Sequence, residues 1–265
     1  MNSIIQGDCL QEMRNIHYQS IDMILTDLPY GLTSCGWDCP IHLVHLWIEL
    51  KRLIKDNGAI VLTASQPFTS KLIMSNLEMF KYCWIWEKSN PSNIALANIQ
   101  PLKYHEDICV FSKGNPIFNK QLIKRESPRI KQAQDNGYKF HNSGSEQTGL
   151  GYVEVESDKY NPDFKNPSSI IKINSLRPNS REFVDHPTQK PLALFEYLIK
   201  TYTNEGNTVL DCCAGSGTTA VACTKLNRNY VCIEKEEKYF KIIKERLSNT
   251  DLPLVAFNHS KEMQT

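Results

Sequence analysis

Residues 208–220 read Thr-Val-Leu-Asp-Cys-Cys-Ala-Gly-Ser-Gly-Thr-Thr-Ala, which is an apolar strand, a glycine turn and the start of a helix. Such a turn brings the backbone close to a ligand and points free N–H groups at it from the helix N-terminus. Nineteen residues after Gly215, Glu234 ends the next predicted strand. A carboxylate at that place can accept both hydroxyls of a ribose. Together these features predict a nucleotide-type site at one edge of an α/β sheet.

The residue that chooses the cofactor is Asp211. The glycine pattern also fits the permissive Gly-x-Gly-x-x-Ala form of the dinucleotide fingerprint, so a nicotinamide-dependent dehydrogenase is an alternative. A carboxylate beside this loop would repel a pyrophosphate, but it would attract the ammonium and sulfonium groups of S-adenosylmethionine. We therefore predict S-adenosylmethionine as the cofactor. The predicted contacts in this region are Asp211, Cys212, Ala214, Gly215, Ser216, Gly217, Thr218 and Glu234.

Short β-type runs alternate with amphipathic helices around this stretch, which is typical of an α/β protein with a mostly parallel sheet. Seven strands are predicted, at residues 3–6, 22–26, 59–63, 82–86, 107–111, 208–211 and 230–234. Apolar residues at i, i+3 and i+4 spacing predict helices over 43–55, 68–80, 192–203, 217–226 and 236–247. The first of these helices is expected to end at Asn57-Gly58.

The composition is that of a globular, intracellular protein. The 265 residues carry a net charge of +1, and 41% of them are hydrophobic, which is enough for one sizeable core. No apolar run approaches the ~20 residues that span a bilayer, and the first residues lack the features of a signal peptide. The nine cysteines are an odd number and are interpreted as reduced thiols. We expect a cytoplasmic protein with no membrane partner.

The alternation of strands and helices stops between residues 112 and 186, where Asn, Ser, Pro and Gly are frequent. A structureless loop of that length is rare, so we predict an inserted small domain or functional arm. Its first part carries seven basic and two acidic residues, a local charge of +5, although a solvated loop surface is the alternative. The basic residues of this part are Lys113, Lys120, Lys124, Arg125, Arg129, Lys131 and Lys139.

A second turn carries the chemistry. The strand ending at Thr26 runs into Asp27-Leu28-Pro29-Tyr30, at the sheet edge where open α/β proteins bind ligands. The structural alternative is an ordinary proline turn. An exocyclic amine on a base is a poor nucleophile, and two acceptors on its hydrogens would favour the pyramidal geometry of the transition state. The Asp27 carboxylate and the Leu28 carbonyl can supply them, while Pro29 stiffens the turn and Tyr30 offers a face for stacking.

Two further polar clusters are interpreted structurally. Cys35, Cys39, His42 and His45 lack the spacer that usually lets four ligands surround a zinc ion, so no metal site is predicted. Lys88 and Asn90 follow one predicted strand, and Glu106 stands at the start of the next. These three are interpreted as solvated loop residues rather than as part of a base pocket.

These motifs resemble those of the amino-methylating DNA methyltransferases of bacteria and phages, whose hallmark is Asp/Asn/Ser-Pro-Pro-Tyr. Asp27 to Tyr30 matches three of its four positions, and Leu28 departs at one that acts through its carbonyl. Gly7-Asp8-Cys9-Leu10 resembles the third motif of the family, and His186-Pro-Thr-Gln-Lys-Pro191 the tenth. The resemblance therefore adds Asp8, Cys9, Thr188 and Lys190 to the predicted cofactor contacts. The catalytic turn precedes the cofactor loop, which is the order of the β group.

The resemblance implies a seven-stranded, circularly permuted Rossmann-like fold that begins at its third strand. It implies a first catalytic part (1–112), a target-recognition region (113–185), a second catalytic part (186–250) and a tail (251–265). It implies methyl transfer to a base flipped out of double-stranded DNA, and the seven basic residues from Lys113 to Lys139 are then predicted to hold DNA phosphates. Asp at the first hallmark position favours adenine N6, with cytosine N4 or RNA adenine as alternatives. A cognate restriction endonuclease and a homodimer are the further partners that it suggests.

Overall fold

The computed structural model describes residues 2–31, 38–126, 161 and 163–250. The chain forms two compact units. The larger unit combines the chain up to residue 119 with the chain from residue 169 onward, and the smaller one covers residues 120–168. In the part of the chain that is described, no helix is long and apolar enough to cross a membrane.

Strands and helices alternate along the larger unit as predicted. Its strands are β1 (Ser3–Gln6), β2 (Ile21–Asp27), β3 (Ile54–Ala64), β4 (Phe80–Glu87) and β5 (His105–Phe111), with β6 (Ile123–Lys124) and β7 (Phe164–Lys165) in the smaller unit, then β8 (Ile170–Lys172), β9 (Thr208–Asp211) and β10 (Asn229–Glu234). The helices are α1 (Cys9–Glu12), α2 (Leu43–Leu53), α3 (Phe68–Met74), α4 (Leu192–Tyr202), α5 (Thr218–Lys225) and α6 (Glu237–Thr250).

One sheet of eight strands organises the larger unit, in the order β1-β10-β9-β2-β3-β5-β4-β8. Only β5 runs against its neighbours, since β5 pairs antiparallel with both β3 and β4 and the other pairs are parallel. The last two long strands, β9 and β10, lie between β1 and β2. This is the strand order of a permuted chain, and the predicted α/β fold is confirmed.

Apolar side chains cover both faces of the sheet. Strand β2 is buried along nearly its whole length, as expected for a parallel strand between two helical layers. One core lies against α4, α5 and α6 and includes Leu198 and Ile243. The other lies against α1, α2 and α3 and includes Leu50 and Leu72. The polar groups of the site are therefore left to the sheet edge.

Two predicted helices end earlier than expected because strand pairing takes over. Ile54, predicted to be helical, pairs with Ile21 and is fully buried, so β3 begins there. Residues 55–58 form an irregularity in the ladder, and a Cβ at Gly58 would lie 2.8 Å from the Asp22 carbonyl oxygen. The helix predicted over 68–80 stops at Met74, since β4 begins at Phe80 opposite Phe111.

The predicted insertion is wider than the smaller unit. Strand β8 pairs in parallel with β4 and makes an eighth strand in a sheet for which seven were predicted. Asn119 donates its backbone N–H to Thr201 at 2.7 Å, so the chain is still part of the larger unit there. In the smaller unit, β6 and β7 pair antiparallel. The role of residues 113–185 in target recognition stays a prediction.

Candidate active site

A cavity of about 1040 Å³ opens at the carboxyl edge of the sheet. Seven charged or polar lining residues lie at or next to the ends of strands, because parallel strands all end at the same edge. The contributions are Asp8 after β1, Asp27 on β2, Ser65 after β3, Lys88 after β4, Asp211 on β9 and Glu234 on β10, with Glu106 from the start of the antiparallel β5. The volume is at the upper end of the roughly 300–1,000 Å³ of ordinary ligand pockets.

The carboxylate of Asp27 is held by three donors. Its Oδ1 accepts the Tyr30 hydroxyl at 2.7 Å and a close hydrogen bond from the Thr63 hydroxyl. Its Oδ2 accepts the Lys190 ammonium at 2.6 Å. The Leu28 side chain packs in the core, so this turn uses the residue through its backbone, and the ring of Tyr30 stacks on Phe68 at 5.1 Å. The acidic group of the turn is therefore fixed in one orientation.

Lys190 connects Asp27 to a chain of buried charges. Its Nζ also lies 3.4 Å from Glu106 Oε2, and the Lys88 ammonium lies 2.9 Å from Glu106 Oε1. Burial alone would lower the pKa of Lys190, but the charges of Asp27 and Glu106 outweigh it and the pKa is raised. Burial likewise opposes ionisation of Glu106, and the two ammonium groups reverse this, so its pKa is lowered. Lys190 and Glu106 are thus both charged at neutral pH.

The glycine loop between β9 and α5 fits a ligand that approaches the backbone closely. Gly215 and Gly217 have φ angles of +52° and +77°, a region that side chains disfavour. A Cβ on Gly215 would lie 2.9 Å from His186 Nε2, and one on Gly217 would lie 2.9 Å from Ile243. Gly215 therefore keeps the cavity wall open, whereas Gly217 allows α6 to pack. Arg246 on α6 anchors the loop by donating to the Ser216 carbonyl at 2.7 Å.

Two buried carboxylates flank this loop. Asp211 is only 2% exposed and accepts the Thr219 hydroxyl and the backbone N–H of Cys213. Burial raises the pKa of Asp211 to about 6, against the opposing effect of these hydrogen bonds. Glu234 accepts the backbone N–H of Gly215 at 2.7 Å, and burial raises its pKa as well. Because burial disfavours an uncompensated charge, a ligand that brings a cation or a hydroxyl donor to either carboxylate stabilises its ionised form.

Asp8 and Cys9 bring the start of the chain to the same cavity. Asp8 caps α1 by accepting the backbone N–H groups of Leu10 and Gln11. Cys9 lines the cavity together with Cys212 and Cys213, and hydrogen bonds from those two thiols lower the pKa of Cys9 to about 4. Sequence analysis predicted a cofactor contact for Cys9, but it did not indicate a cluster of three thiols.

The structure brings nearly all the predicted site residues together. The four catalytic residues and the predicted cofactor contacts line the cavity, with the exception of Gly217. The Lys190 ammonium forms ion pairs with Asp27 and Glu106 within this lining. Thr188 also lines the cavity, and its backbone N–H donates to His186 Nδ1 at 3.3 Å.

The residues predicted to hold DNA phosphates are less uniform. Lys113 donates to the Ile54 carbonyl at 3.1 Å, and the Arg125 guanidinium donates to the Phe164 carbonyl at 3.0 Å, so both have structural partners. Lys120 and Lys124 are exposed. Arg129, Lys131 and Lys139 lie outside the described residues.

Sequence reasoning missed part of the site. Lys88 and Glu106 were interpreted as solvated, but Lys88 is buried and both line the cavity. Their position at strand ends was a usable signal, since it is the signal that identified Asp27 and Asp211. Thr63 and Arg246 carried no signal, because a hydroxyl in a strand and a basic residue in an amphipathic helix are both common.

The chain is similar to proteins of one family. The family model for N6/N4 methyltransferases, described as DNA methylase, matches residues 21–245. Type II methyltransferase M.HpaI of Haemophilus parainfluenzae is 27% identical over 258 residues, 93% of this chain and 74% of that protein. DNA adenine methyltransferase YhdJ of Escherichia coli is 27% identical over 263 residues, 92% of this chain and 82% of that protein.

Solved structures share the fold. The complex of M1.HpyAVI with SAM has a TM-score of 0.61 at 25% identity, covering 93% of this chain and 99% of that one. PvuII DNA methyltransferase, described as cytosine-N4-specific, has a TM-score of 0.62 at 14% identity, covering 94% of this chain and 90% of that one. The second likeness concerns the fold alone.

Proposed function

This chain belongs to the DNA methylase family of N6/N4 methyltransferases, and from that premise we propose that it transfers a methyl group from S-adenosylmethionine to adenine N6 in double-stranded DNA. The observation that carries the proposal is the meeting of the Asp27–Tyr30 turn with the Gly215 loop in one cavity. A dehydrogenase would have no use for that turn. One relative supports adenine as the acceptor, since it is named a DNA adenine methyltransferase.

The cavity suits the cofactor at one end. Asp211 is a buried carboxylate with raised pKa and suits the ammonium of the methionine moiety, Glu234 suits the ribose hydroxyls and Asp8 the adenine edge. When bound, the cofactor supplies an electrophilic methyl group on a sulfonium centre. Gly215 lets this molecule lie against the loop, because a side chain there would reach His186.

The other end of the cavity suits the base. Asp27 and the Leu28 carbonyl are proposed to accept the two hydrogens of the amine, so that its lone pair leaves the ring and points at the methyl group. Tyr30 is held by Phe68 and by Asp27, which keeps an aromatic ring at the wall for the base to contact. No proton has to leave before the nitrogen attacks. The bond from nitrogen to carbon forms as that from sulfur to carbon breaks, which leaves the sulfur as a neutral thioether. The methylated amine is then positively charged and loses its proton to water.

The remaining parts of the proposal concern partners. Residues 113–185 are proposed to contact the target site, with the exposed Lys120 and Lys124 near phosphates. The type II names of relatives support a restriction endonuclease of the same specificity as a partner. A homodimer is proposed by analogy with the family, and sedimentation of the purified protein would test it.

The test is transfer of labelled methyl groups to unmethylated genomic DNA, followed by separation of the nucleosides. Label in N6-methyladenine is the expected result. Label in N4-methylcytosine would overturn the choice of base, and label that enters RNA alone would overturn DNA as the acceptor. The variant Asp27→Ala should lose transfer and keep cofactor binding in calorimetry. Glu78→Ala, which removes an exposed acid outside the cavity lining, is the matched control and should behave as wild type.

A further inference from the structure

The connection between β4 and β5 carries apolar side chains that face solvent at the rim of the cavity. Ile94 is 69% exposed, Leu96 41% and Ile99 81%. Single exposed apolar residues are normal on a soluble protein, but three within six positions beside a polar cavity form a distinct surface. We call this segment, residues 93–100, the apolar turn.

The apolar turn has a built shape. Asn93 ties its two ends together, since its side chain accepts the backbone N–H of Lys103 at 2.6 Å and donates to the Pro101 carbonyl at 3.0 Å. Within the turn, Leu96 accepts the backbone N–H of Gln100 at 3.0 Å and that of Ile99 at 2.9 Å. Because the backbone is already ordered by these bonds, presenting Ile94 and Ile99 to a partner costs little further conformational entropy.

The apolar turn is continuous with the proposed base pocket. Asn93, Leu96 and Gln100 line the same cavity as Asp27 and Tyr30. Ile99 is three residues beyond Leu96, so its backbone lies within roughly 10 Å of a lining residue. Both ends and the middle of the turn therefore line the cavity, and the exposed Ile94 and Ile99 lie between these lining residues.

A base that leaves its duplex to enter the cavity leaves behind a gap the size of one base. The nucleotide stays attached to its strand and swings by about 180° around the backbone, so the gap stays close to the cavity mouth. Apolar side chains are the groups that proteins insert between or in place of bases, since they replace lost stacking without unsatisfied polar atoms. Two basic residues lie beside the cavity, where their positive charges suit the phosphates of a DNA backbone. Lys103 lines the cavity, and Arg177 donates to the cavity residue Asn90 at 3.4 Å.

We propose that the apolar turn is the wedge of this enzyme: Ile99 enters the space vacated by the target adenine, and Leu96 contacts the base at the cavity mouth. This inference rests on the proposed function. It assigns the stabilisation of the flipped state to the larger unit, separately from the reading of the target sequence.

The test compares two duplexes that contain the enzyme's own target site, mapped first by sequencing methylated DNA. In one duplex the target adenine is paired, and in the other it faces an abasic position, so that little pairing has to be broken. Unstacking and unpairing cost a few kcal/mol, so Ile99→Ala should lower kcat on the paired duplex by about tenfold or more. On the abasic duplex its rate should lie within about twofold of wild type. The matched control is Ile48→Ala, which removes an equally large side chain that is 57% exposed on α2 and does not line the cavity.

A 2-aminopurine at the target position gives an independent readout, because its fluorescence rises when it leaves the stack. Wild type and Ile48→Ala should give the full rise, and Ile99→Ala a reduced one with unchanged cofactor affinity. Equal losses on both duplexes, or no loss on either, would overturn the wedge while leaving the proposed function intact. A loss that follows a change in oligomeric state on sedimentation would overturn it in favour of a contact between copies. Failure of wild type to methylate either duplex would instead overturn the proposed function, and the wedge with it.

Discussion

Replacing Asp211 by Asn should stabilise the cofactor-free protein and at the same time remove cofactor binding. Burial raises the pKa of Asp211 from its ordinary 3.8 to about 6, so the folded protein favours the neutral acid. A difference of about 2 pKa units corresponds to about 3 kcal/mol. The contribution of Asp211 to the free energy of unfolding is therefore fully present below pH 3.8 and is lost as the pH rises through about 6. At pH 8 the ionised carboxylate costs the wild type about 3 kcal/mol.

Asparagine is nearly isosteric and carries no charge at any pH. It can still accept the backbone N–H of Cys213, and its amide can donate to the Thr219 hydroxyl, so the local hydrogen bonds are retained. The free energy of unfolding of Asp211→Asn should then exceed that of wild type at pH 8 by up to about 3 kcal/mol, a rise of roughly 5–10 °C in Tm for a domain of this size. Below pH 4 the two proteins should be equally stable.

The assay is urea unfolding of both proteins without cofactor at pH 8, 6 and 4. Other titrating groups are common to both proteins, so the difference between the two curves isolates Asp211. Wild type should gain about 2.7 kcal/mol at a cofactor concentration 100 times its Kd, and the variant should gain nearly nothing. A difference between the proteins that is the same at pH 8 and pH 4 would refute the reasoning, because burial of a charge would then not be its source.

Three further predictions concern the same cavity. Lys190→Met should lower kcat at least tenfold, because the Lys190 ammonium holds Asp27, and it should leave the Kd of the cofactor within about threefold. A Kd that rises in step with the loss of activity would instead show that Lys190 binds the cofactor, as the sequence predicts. Gly215→Ala should cost about 1 kcal/mol or more in stability and weaken cofactor binding in calorimetry, because its φ is +52° and the new methyl group would meet His186; unchanged affinity would contradict this. Iodoacetamide should alkylate Cys9 first at pH 7, because the pKa of the Cys9 thiol is lowered to about 4. Saturating cofactor should protect Cys9 from this labelling. Equal labelling with and without cofactor, measured by peptide mapping, would show that Cys9 does not contact the ligand.

Local patterns in the sequence predicted what depends on local chemistry. The seven long strands, the glycine loop and the catalytic turn all have periodicity or turn residues of their own, and all were predicted. The ends of helices and strands depend on which strands pair with each other. Ile54 is apolar and fits a helix or a strand, and its pairing with Ile21 places it in β3. Strand β8 has three residues, too few for any period to be read. The contact between Asp27 and Lys190 joins residues 163 positions apart, and no local pattern encodes it.

The two carboxylates on the neighbouring strands β2 and β9 are treated differently by the fold, and this difference divides the cavity between its two ligands. Asp27 has the Lys190 ammonium on Oδ2, so its charge is balanced before any substrate arrives. Asp211 has hydrogen bonds from a hydroxyl and a backbone N–H, and in the described part of the chain no basic side chain forms an ion pair with it. Burial raises the pKa of Asp211, and the hydrogen bonds oppose this rise only in part. A ligand that brings a positive charge relieves this cost at Asp211 and gains nothing comparable at Asp27. The cationic cofactor is therefore directed to the end of the cavity at β9, and the neutral base is left the end at β2.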